Sequence, residues 1–209
     1  MLILYIETNF LMAIAKGQDS QAANLLYNPP QSVRIFIPNI CYIEAVSTYR
    51  IEEKYGLHFQ EEMGKKIREL GRDKSSNYAQ SFLRSLEQAR IDNMSLMNDI
   101  KSRLLDAIDK INTNAQIIHV SDYTLHNICQ AFLTEMEVLL IKNDIMDNLI
   151  LQCILEQANL HPEEEKAFIS NNTKDFNEPE VKDALRSAGI RYFTMTQHFL
   201  DWFNSSESN

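Results

Sequence analysis

The stretch LYIETNFLMAIAKG, residues 4–17, joins an apolar run to a carboxylate and then to a helical pattern. The run before Glu7 carries no charged residue, which is typical of a short strand buried on both faces of a parallel sheet. After Glu7, apolar residues return at helical spacing and end at Gly17, a residue that commonly stops a helix. We therefore predict a βα unit with an acidic residue at its junction.

The same alternation recurs along the chain. A second unit has a strand at residues 33–37 and a helix after Pro38, and a third has a strand at residues 116–120 with Ser121 as the N-cap of its helix. The later elements are a helix at 144–158, a strand at 166–170, a helix at 180–189, a strand at 190–195 and a helix at 197–203. This order predicts an α/β fold of three layers, α/β/α, with a mostly parallel central sheet.

The middle of the chain differs in pattern. Residues 57–111 lack strand signals and are rich in charged, helix-forming side chains. We interpret residues 51–115 as a helical insertion within a single domain that spans residues 1–209. The last residues, 204–209, are polar and are predicted to form a tail.

Composition narrows the classes of function. The net charge of −9 argues against a broad nucleic-acid-binding face, so any such contact must be local or assisted by a metal ion. The five glycines form no phosphate-binding loop, and the three cysteines are too far apart for a metal or disulfide pattern. Without a membrane-length apolar run or a signal-peptide pattern, we expect a cytoplasmic protein that does not contact membranes.

Acidic and carboxamide residues follow several of the predicted strands. In a parallel sheet, the residues that follow the strands gather at one edge, where ligands bind. The residues that this rule brings there are Glu7, Glu44, Asp144, Asp147, Asn171, Asn172 and Asp175. Crowded carboxylates repel one another, and a divalent cation relieves the repulsion. Oxygen ligands favour Mg²⁺ or Mn²⁺, while Thr8 and Asn9 are suited to position water or a phosphate.

Each of these residues also has a structural interpretation. Glu7 and Glu44 can face solvent at a strand end and on a helix, and Asp144 with Asp147 can cap a helix and complement its dipole. Asp175 lies in a polar turn where such residues are common. The charged segment 61–74 is expected to be a solvated helix, although its lysines and arginines, with Arg84, are also suited to contact a nucleic-acid backbone.

Four segments resemble the PIN-domain ribonucleases. They are LYIETNFLM, IPNICYIEAVSTY, DNLILQCIL and FISNNTKDF, in the order that the family shows. The resemblance covers about residues 1–50 and 116–203. It implies divalent-metal-dependent cleavage of RNA phosphodiester bonds, with RNA as substrate and Mg²⁺ or Mn²⁺ as cofactor.

By position, the resemblance makes Glu7, Glu44 and Asp147 the main catalytic and metal-binding acids and Asp175 the fourth, with Thr8, Asn9, Asp144 and Asn172 in support. Two residues depart from the family pattern. Glu7 stands where the family usually has Asp, and its extra methylene adds about 1.5 Å of reach, whereas catalytic geometry tolerates about 0.5 Å of displacement. Asn172 stands where many members have another acid, which lowers the negative charge of the site.

Two other functions stay open at this point. The first is a PIN-like binding or regulatory module with a weakened site that acts through its helical insertion. The second is a different acid-rich α/β phosphatase or nuclease, although the sequence has no nucleophile motif for one. Small members of the family often act as toxins that an antitoxin neutralises. The sequence leaves open an antitoxin or another protein as partner, and it leaves open a homo-oligomer.

Overall fold

The apolar run after Met1 forms the central strand of a five-stranded, all-parallel sheet. A computed structural model of the chain describes residues 1–134, 139–141 and 144–207. The strands are β1 (Leu2–Ile6), β2 (Val33–Pro38), β3 (Ala115–Ile118), β4 (Glu165–Ile169) and β5 (Ile190–Phe193). Their order in the sheet is β3-β2-β1-β4-β5. Both faces of β1 are buried, as its continuous apolar sequence predicts.

Helices connect the strands and complete the predicted α/β fold, which the structure confirms. They are α1 (Thr8–Ala15), α2 (Ser20–Tyr27), α3 (Ile40–Leu70), α4 (Asn77–Asn114), α5 (Asp122–Leu133), α6 (Ile145–Asn159), α7 (Thr173–Phe176), α8 (Pro179–Ser187) and α9 (Thr196–Glu207). Parallel strands need such crossovers because a tight turn cannot connect them.

Strand register determines which residues meet at the carboxyl edge of the sheet. Ile6 is paired with Ile169 of β4, and Tyr5 with Phe36 of β2. The residues that follow the first pair, Glu7 and Ser170, therefore leave neighbouring strands at the same level. This edge holds the junction that the opening stretch of sequence predicted to be acidic.

Aromatic packing anchors the β4–β5 side of the core. The ring of Phe168 on β4 lies 5.1 Å from that of Phe176 and 5.7 Å from that of Tyr192, measured between centroids. On α9, Phe199 packs edge-on against Phe193 at 5.7 Å. Such pairs contribute about 0.5–1.5 kcal/mol beyond the area they bury. They hold α7 and α9 against the two strands that carry one side of the carboxyl edge.

The two longest helices, α3 and α4, pack against each other. The Gln60 side-chain amide on α3 donates to the Arg90 carbonyl at 2.7 Å and to Asn93 Oδ1 at 3.1 Å on α4. Nearer the sheet, Arg103 Nε on α4 donates to the Ala15 carbonyl at the end of α1 at 2.7 Å. Because α3 runs without a break from Ile40, no helix boundary marks residue 51, and the predicted insertion at 51–115 stays a prediction.

Several element boundaries differ from the sequence-based prediction. Helix α9 continues to Glu207, so the predicted tail at 204–209 is largely helical, and residues 208–209 lie outside the described residues. The predicted polar turn after β4 contains the short helix α7, and α2 was not predicted. Strands β3 and β5 end at Ile118 and Phe193, earlier than expected. Helix α7 has only four residues and α2 only eight, so neither is long enough to give a clear periodic signal.

The predicted N-cap of α5 is confirmed by local structure. Ser121 caps α5 by accepting a hydrogen bond from the Thr124 amide at 3.0 Å. Cys41, Cys129 and Cys153 are free thiols, and the first and last are buried. Within the part of the chain that the structure describes, no helix is both long enough and apolar enough to cross a membrane.

A pair of identical substitutions tests how far stability depends on β1. Ile3 is 0% exposed in the central strand, whereas Ile91 on α4 is 58% exposed. Ile3→Ala should lower the free energy of unfolding by about 2–5 kcal/mol, because it leaves a cavity in the core. Ile91→Ala should change it by less than about 0.5 kcal/mol. Denaturant unfolding measures both values, and equal losses would contradict the central position of β1.

Candidate active site

Glu7 is buried at the junction of β1 and α1. Its carboxylate is 1% exposed and serves as the N-cap of α1, accepting a hydrogen bond at Oε2 from the Asn9 amide at 2.6 Å. The other oxygen, Oε1, is buried and has no hydrogen-bond partner among the described residues. A buried polar atom without a partner carries a large desolvation cost, which a ligand can offset.

Glu44 approaches the same junction from α3. The Thr8 hydroxyl, on the residue after Glu7, donates a short hydrogen bond to Glu44 Oε2. Thr8 is itself buried, so this contact fixes the orientation of the half-buried Glu44 side chain. The adjacent residues Glu7 and Thr8 thus bring a carboxylate of α3 to the edge of the sheet. Glu44 is therefore not on a fully solvated helix face, the structural alternative considered for it from the sequence.

Asp144 and Asp147 have different contacts at the start of α6. Asp144 is the N-cap, and its Oδ1 accepts from the amides of Met146 and Asp147 at 3.0 Å each. The Asp147 side chain, 5% exposed, accepts at Oδ2 from the Asn172 side-chain amide at 2.8 Å. The predicted helix cap is therefore confirmed for Asp144, and Asp147 is left to meet the segment that follows β4.

The segment after β4 connects the carboxylates to β5. Ser170 Oγ accepts from the Asn172 backbone amide at 3.0 Å, and the Ser170 carbonyl accepts from the Tyr192 hydroxyl at 3.0 Å. Asp175 is half-buried in α7, and its charge contributes to the raised pKa of Asp147. Ser170 and Tyr192 were not among the predicted site residues. Ser170 follows its strand as Glu7 does, so the same rule of strand ends was capable of finding it, whereas Tyr192 gave no such signal.

The electrostatics match a crowded group of acids. Burial raises the pKa of Glu7 to about 8, with smaller contributions from the charges of Asp147 and Glu44, against the Asn9 amide and the Ser170 side chain. Burial also raises the pKa of Asp147 to about 7, and the charges of Asp144, Glu44 and Asp175 add to the rise. The pKa of Glu44 is raised by burial, and its hydrogen bond from Thr8 opposes the rise.

Glu7, Glu44 and Asp147 share one arrangement. In each, one oxygen accepts a hydrogen bond, from Asn9, Thr8 and Asn172 respectively, and that bond orients the carboxylate. The second oxygens of Glu44 and Asp147 accept no hydrogen bond from the residues that the structure describes, and Glu7 Oε1 has none of normal geometry, although the Ser170 side chain favours the ionised form of Glu7. Oriented carboxylates with an uncommitted oxygen are suited to bind a cation or an ordered water molecule.

The donor set fits a hard divalent cation in part. Mg²⁺ and Mn²⁺ prefer carboxylate oxygens, and burial, with a smaller contribution from neighbouring acids, raises the pKa values of Glu7 and Asp147, so their ionised forms are disfavoured without a cation. In the described ranges, however, no three His, Cys, Asp or Glu side chains are close enough to bind one ion together. Mg²⁺ is usually held by one or two carboxylates and keeps several waters. The site therefore suits an ion with few direct ligands rather than an all-carboxylate cage.

Comparison with known proteins identifies the family. Residues 4–176 match a family model described as PIN domain. No curated protein matches the chain. A solved structure of VapBC2 from Rickettsia felis bound to a DNA fragment from their promoter is similar over 91% of this chain and 98% of that chain, at 15% sequence identity and a TM-score of 0.37. A likeness this weak does not by itself establish a fold.

The raised pKa values predict how stability depends on pH when a chelator removes divalent metal. Glu7 and Asp147 have ordinary pKa values of 4.5 and 3.8, and folding raises them to about 8 and 7. Between these limits the folded chain binds more protons than the unfolded chain. The free energy of unfolding should therefore fall as pH rises, by up to about 1.4 kcal/mol per pH unit for each proton.

Glu7→Gln should reduce this dependence, because the amide cannot ionise and its oxygen still accepts from Asn9. Glu163→Gln, at an exposed position, is the matched control and should keep the native pH profile. Urea unfolding from pH 4.5 to pH 8 measures the slope. A native slope in Glu7→Gln would show that Glu7 does not hold its proton in the folded chain.

Proposed function

The chain belongs to the PIN domain family, whose members are generally nucleases, and on that premise we propose that it is a divalent-metal-dependent endoribonuclease. The reaction is hydrolysis of RNA phosphodiester bonds. One observation carries the proposal. Glu7, Glu44 and Asp147 each have one oxygen held by a hydrogen bond and the other uncommitted, at the carboxyl edge of a parallel sheet.

The three acids have separate roles in this proposal. Asp147 and Glu44, whose orientations are set by Asn172 and Thr8, bind the metal ion directly or through water. Glu7 is the most deeply buried, and its free Oε1 is suited to hold an ordered water or to take its proton. Asp175, whose charge contributes to the raised pKa of Asp147, adds to the negative charge of the pocket.

The cofactor we propose is Mg²⁺ or Mn²⁺. Such an ion, when bound, lowers the pKa of an attacking water and stabilises negative charge on the phosphate. Its positive charge also lowers the pKa values of the surrounding carboxylates, reversing the shifts found in the metal-free chain. The protein orients the acids through Asn9, Thr8 and Asn172 before any ion binds, so little reorganisation is required.

The setting proposed for this activity is the cytoplasm. Free Cys41, Cys129 and Cys153 are compatible with a reducing compartment, where disulfides rarely persist. RNA is the proposed substrate. We also propose a protein partner, an antitoxin or another regulator, for the exposed surface of α3 and α4.

That surface supports a second function, a PIN-like binding or regulatory module. Exposed apolar side chains are concentrated on α3 and α4, in contrast to ordinary surfaces where they are scattered. On these two helices they are Ile43, Val46, Ile51, Tyr55, Leu57, Phe59, Tyr78, Phe82, Ile91, Met94, Leu96 and Leu105. In this alternative, the longer Glu7 side chain and the uncharged Asn172 weaken catalysis, and the helices bind the partner.

Titration with Mn²⁺ separates the two functions. Calorimetry on the folded native chain should detect binding at millimolar Mn²⁺ or below if the site is catalytic, and binding should weaken in Asp147→Asn. Folded protein without detectable binding would favour the module. Glu7→Asp adds a second discriminator, because a gain of activity in that variant would show that the native Glu7 limits catalysis.

Cleavage of RNA tests the proposed enzyme directly. With Mn²⁺ present, the native chain should cut single-stranded RNA faster than structured RNA, and Asp147→Asn should lower kcat by about 10²-fold or more, because one charged ligand is lost. Asp99→Asn removes the same charge from an exposed position on α4 and should leave the rate unchanged. Gel analysis of end-labelled RNA gives the rates.

Two results would count against the enzyme. Equal cleavage by native chain and Asp147→Asn would point to a contaminating nuclease. No cleavage by either, with Mn²⁺ binding retained, would separate metal binding from catalysis and leave the module as the better account. Thermal unfolding of each variant confirms that the comparison is made between folded proteins.

A further inference from the structure

A basic surface cavity lies at the outer edge of the sheet, beside β5. Its volume is about 570 Å³, and it is lined by Lys182 and Arg186 of α8 and by Gly189, Ile190, Arg191 and Tyr192. Small-molecule sites commonly measure about 300–1,000 Å³, so the cavity has room for one nucleotide unit. Because Arg191 and Tyr192 are neighbours in a strand, their side chains leave opposite faces, and the cavity follows the strand edge.

The charge of this cavity is opposite to that of the chain. Three of its six lining residues are permanently positive, in a protein with a net charge of −9. Lys182 forms no ion pair with any described carboxylate. Arg186 contacts Asp183 at 2.7 Å, and both side chains are largely exposed, so the pair is weak and easily exchanged for a phosphate.

The third cation is held in place by packing. The guanidinium of Arg191 lies 4.7 Å from the centre of the Trp202 ring. This cation–π contact orients Arg191 and leaves its hydrogen-bond donors unpaired with any described carboxylate. An oriented guanidinium is suited to bind a phosphate group through two parallel hydrogen bonds.

Tyr192 connects the cavity to the carboxylates. It lines the cavity, and its hydroxyl donates to the Ser170 carbonyl at 3.0 Å. Ser170 Oγ accepts from the Asn172 amide, and Asn172 donates to Asp147 Oδ2 at 2.8 Å. Tyr192, Ser170 and Asn172 thus form a hydrogen-bonded connection from the lining of the cavity to Asp147.

We propose that Lys182, Arg186 and Arg191 form a phosphate subsite that holds the RNA backbone beside the carboxylate cluster. The inference rests on the proposed function for the identity of its ligand. It explains how a chain with net negative charge holds a polyanion near buried acids, since phosphate affinity depends on local cations rather than on total charge.

Equilibrium binding of a fluorescent single-stranded RNA tests the subsite. Anisotropy is measured with chelator present, so binding is recorded without cleavage and independently of the proposed chemistry. The double variant Lys182→Gln/Arg186→Gln should weaken binding by about tenfold or more. The slope of log Kd against log salt should become shallower by about 1.4, at 0.7 for each lost phosphate contact.

The matched control removes the same charge elsewhere. Arg90→Gln/Lys101→Gln changes two exposed cations on α4, outside the cavity, and should keep the native slope. Equal weakening by both double variants would mean that only net charge matters, and it would overturn the subsite. Native affinity in Lys182→Gln/Arg186→Gln would overturn it as well.

Two further measurements separate the outcomes. Inorganic phosphate, added at constant ionic strength, should displace little RNA from the native chain. Complete displacement at millimolar phosphate would assign the cavity to a small free anion and overturn the RNA backbone as its ligand. In the cleavage assay, the double variant should raise KM with little change in kcat. Cleavage by the double variant with an unchanged KM would contradict the subsite but not the proposed enzyme. RNA binding by the native chain without any cleavage would contradict the proposed enzyme but not the subsite.

Discussion

Burial of negative charge at the carboxyl edge of the sheet is the constraint on which this structure depends. Glu7 follows the most deeply buried strand and cannot reach bulk water, so its carboxylate must be stabilised by the protein or by a ligand. The protein supplies part of that stabilisation through the Asn9 amide at the start of α1. The remaining oxygen, Oε1, lacks a hydrogen bond of normal geometry among the described residues, and burial raises the pKa of Glu7 to about 8. The apolar packing of β1 holds Glu7 in this unfavourable position.

Hydrogen bonds between segments distant in sequence orient the other acids. Thr8 holds Glu44 across 36 residues, and Asn172 holds Asp147 across 25. Each bond leaves one oxygen free, so the arrangement favours a bound cation over a self-contained polar network, which would satisfy both oxygens. Asn172 is informative in this respect. As an amide it donates a hydrogen bond to Asp147, which a second carboxylate is unable to do, so it orients one acid instead of adding another negative charge.

The sequence predicted the parts of the fold that depend on local pattern. Strands β1 and β2 and the helix after Glu7 have continuous or periodic apolar residues, and the structure places them within one or two residues of the prediction. The cap at Asp144 follows equally from local chemistry. The pairing of Ile6 with Ile169 does not, because register depends on contacts between distant strands. Ser170 follows its strand and was open to the same rule as Glu7, whereas Tyr192 becomes recognisable only once that register and the order of β4 and β5 are known.

Strands β4 and β5 carry groups of opposite charge that do not pair with each other among the described residues. The acids occupy the carboxyl ends of the strands, whereas Lys182, Arg186 and Arg191 line the outer edge of β5, with Tyr192 between the two groups. Direct ion pairs would neutralise both sets and remove their capacity to bind ligands. Because the two groups do not pair, the acids keep their affinity for a cation and the basic side chains keep theirs for a phosphate. A phosphodiester with its associated metal ion carries both charges, so it matches both groups at once.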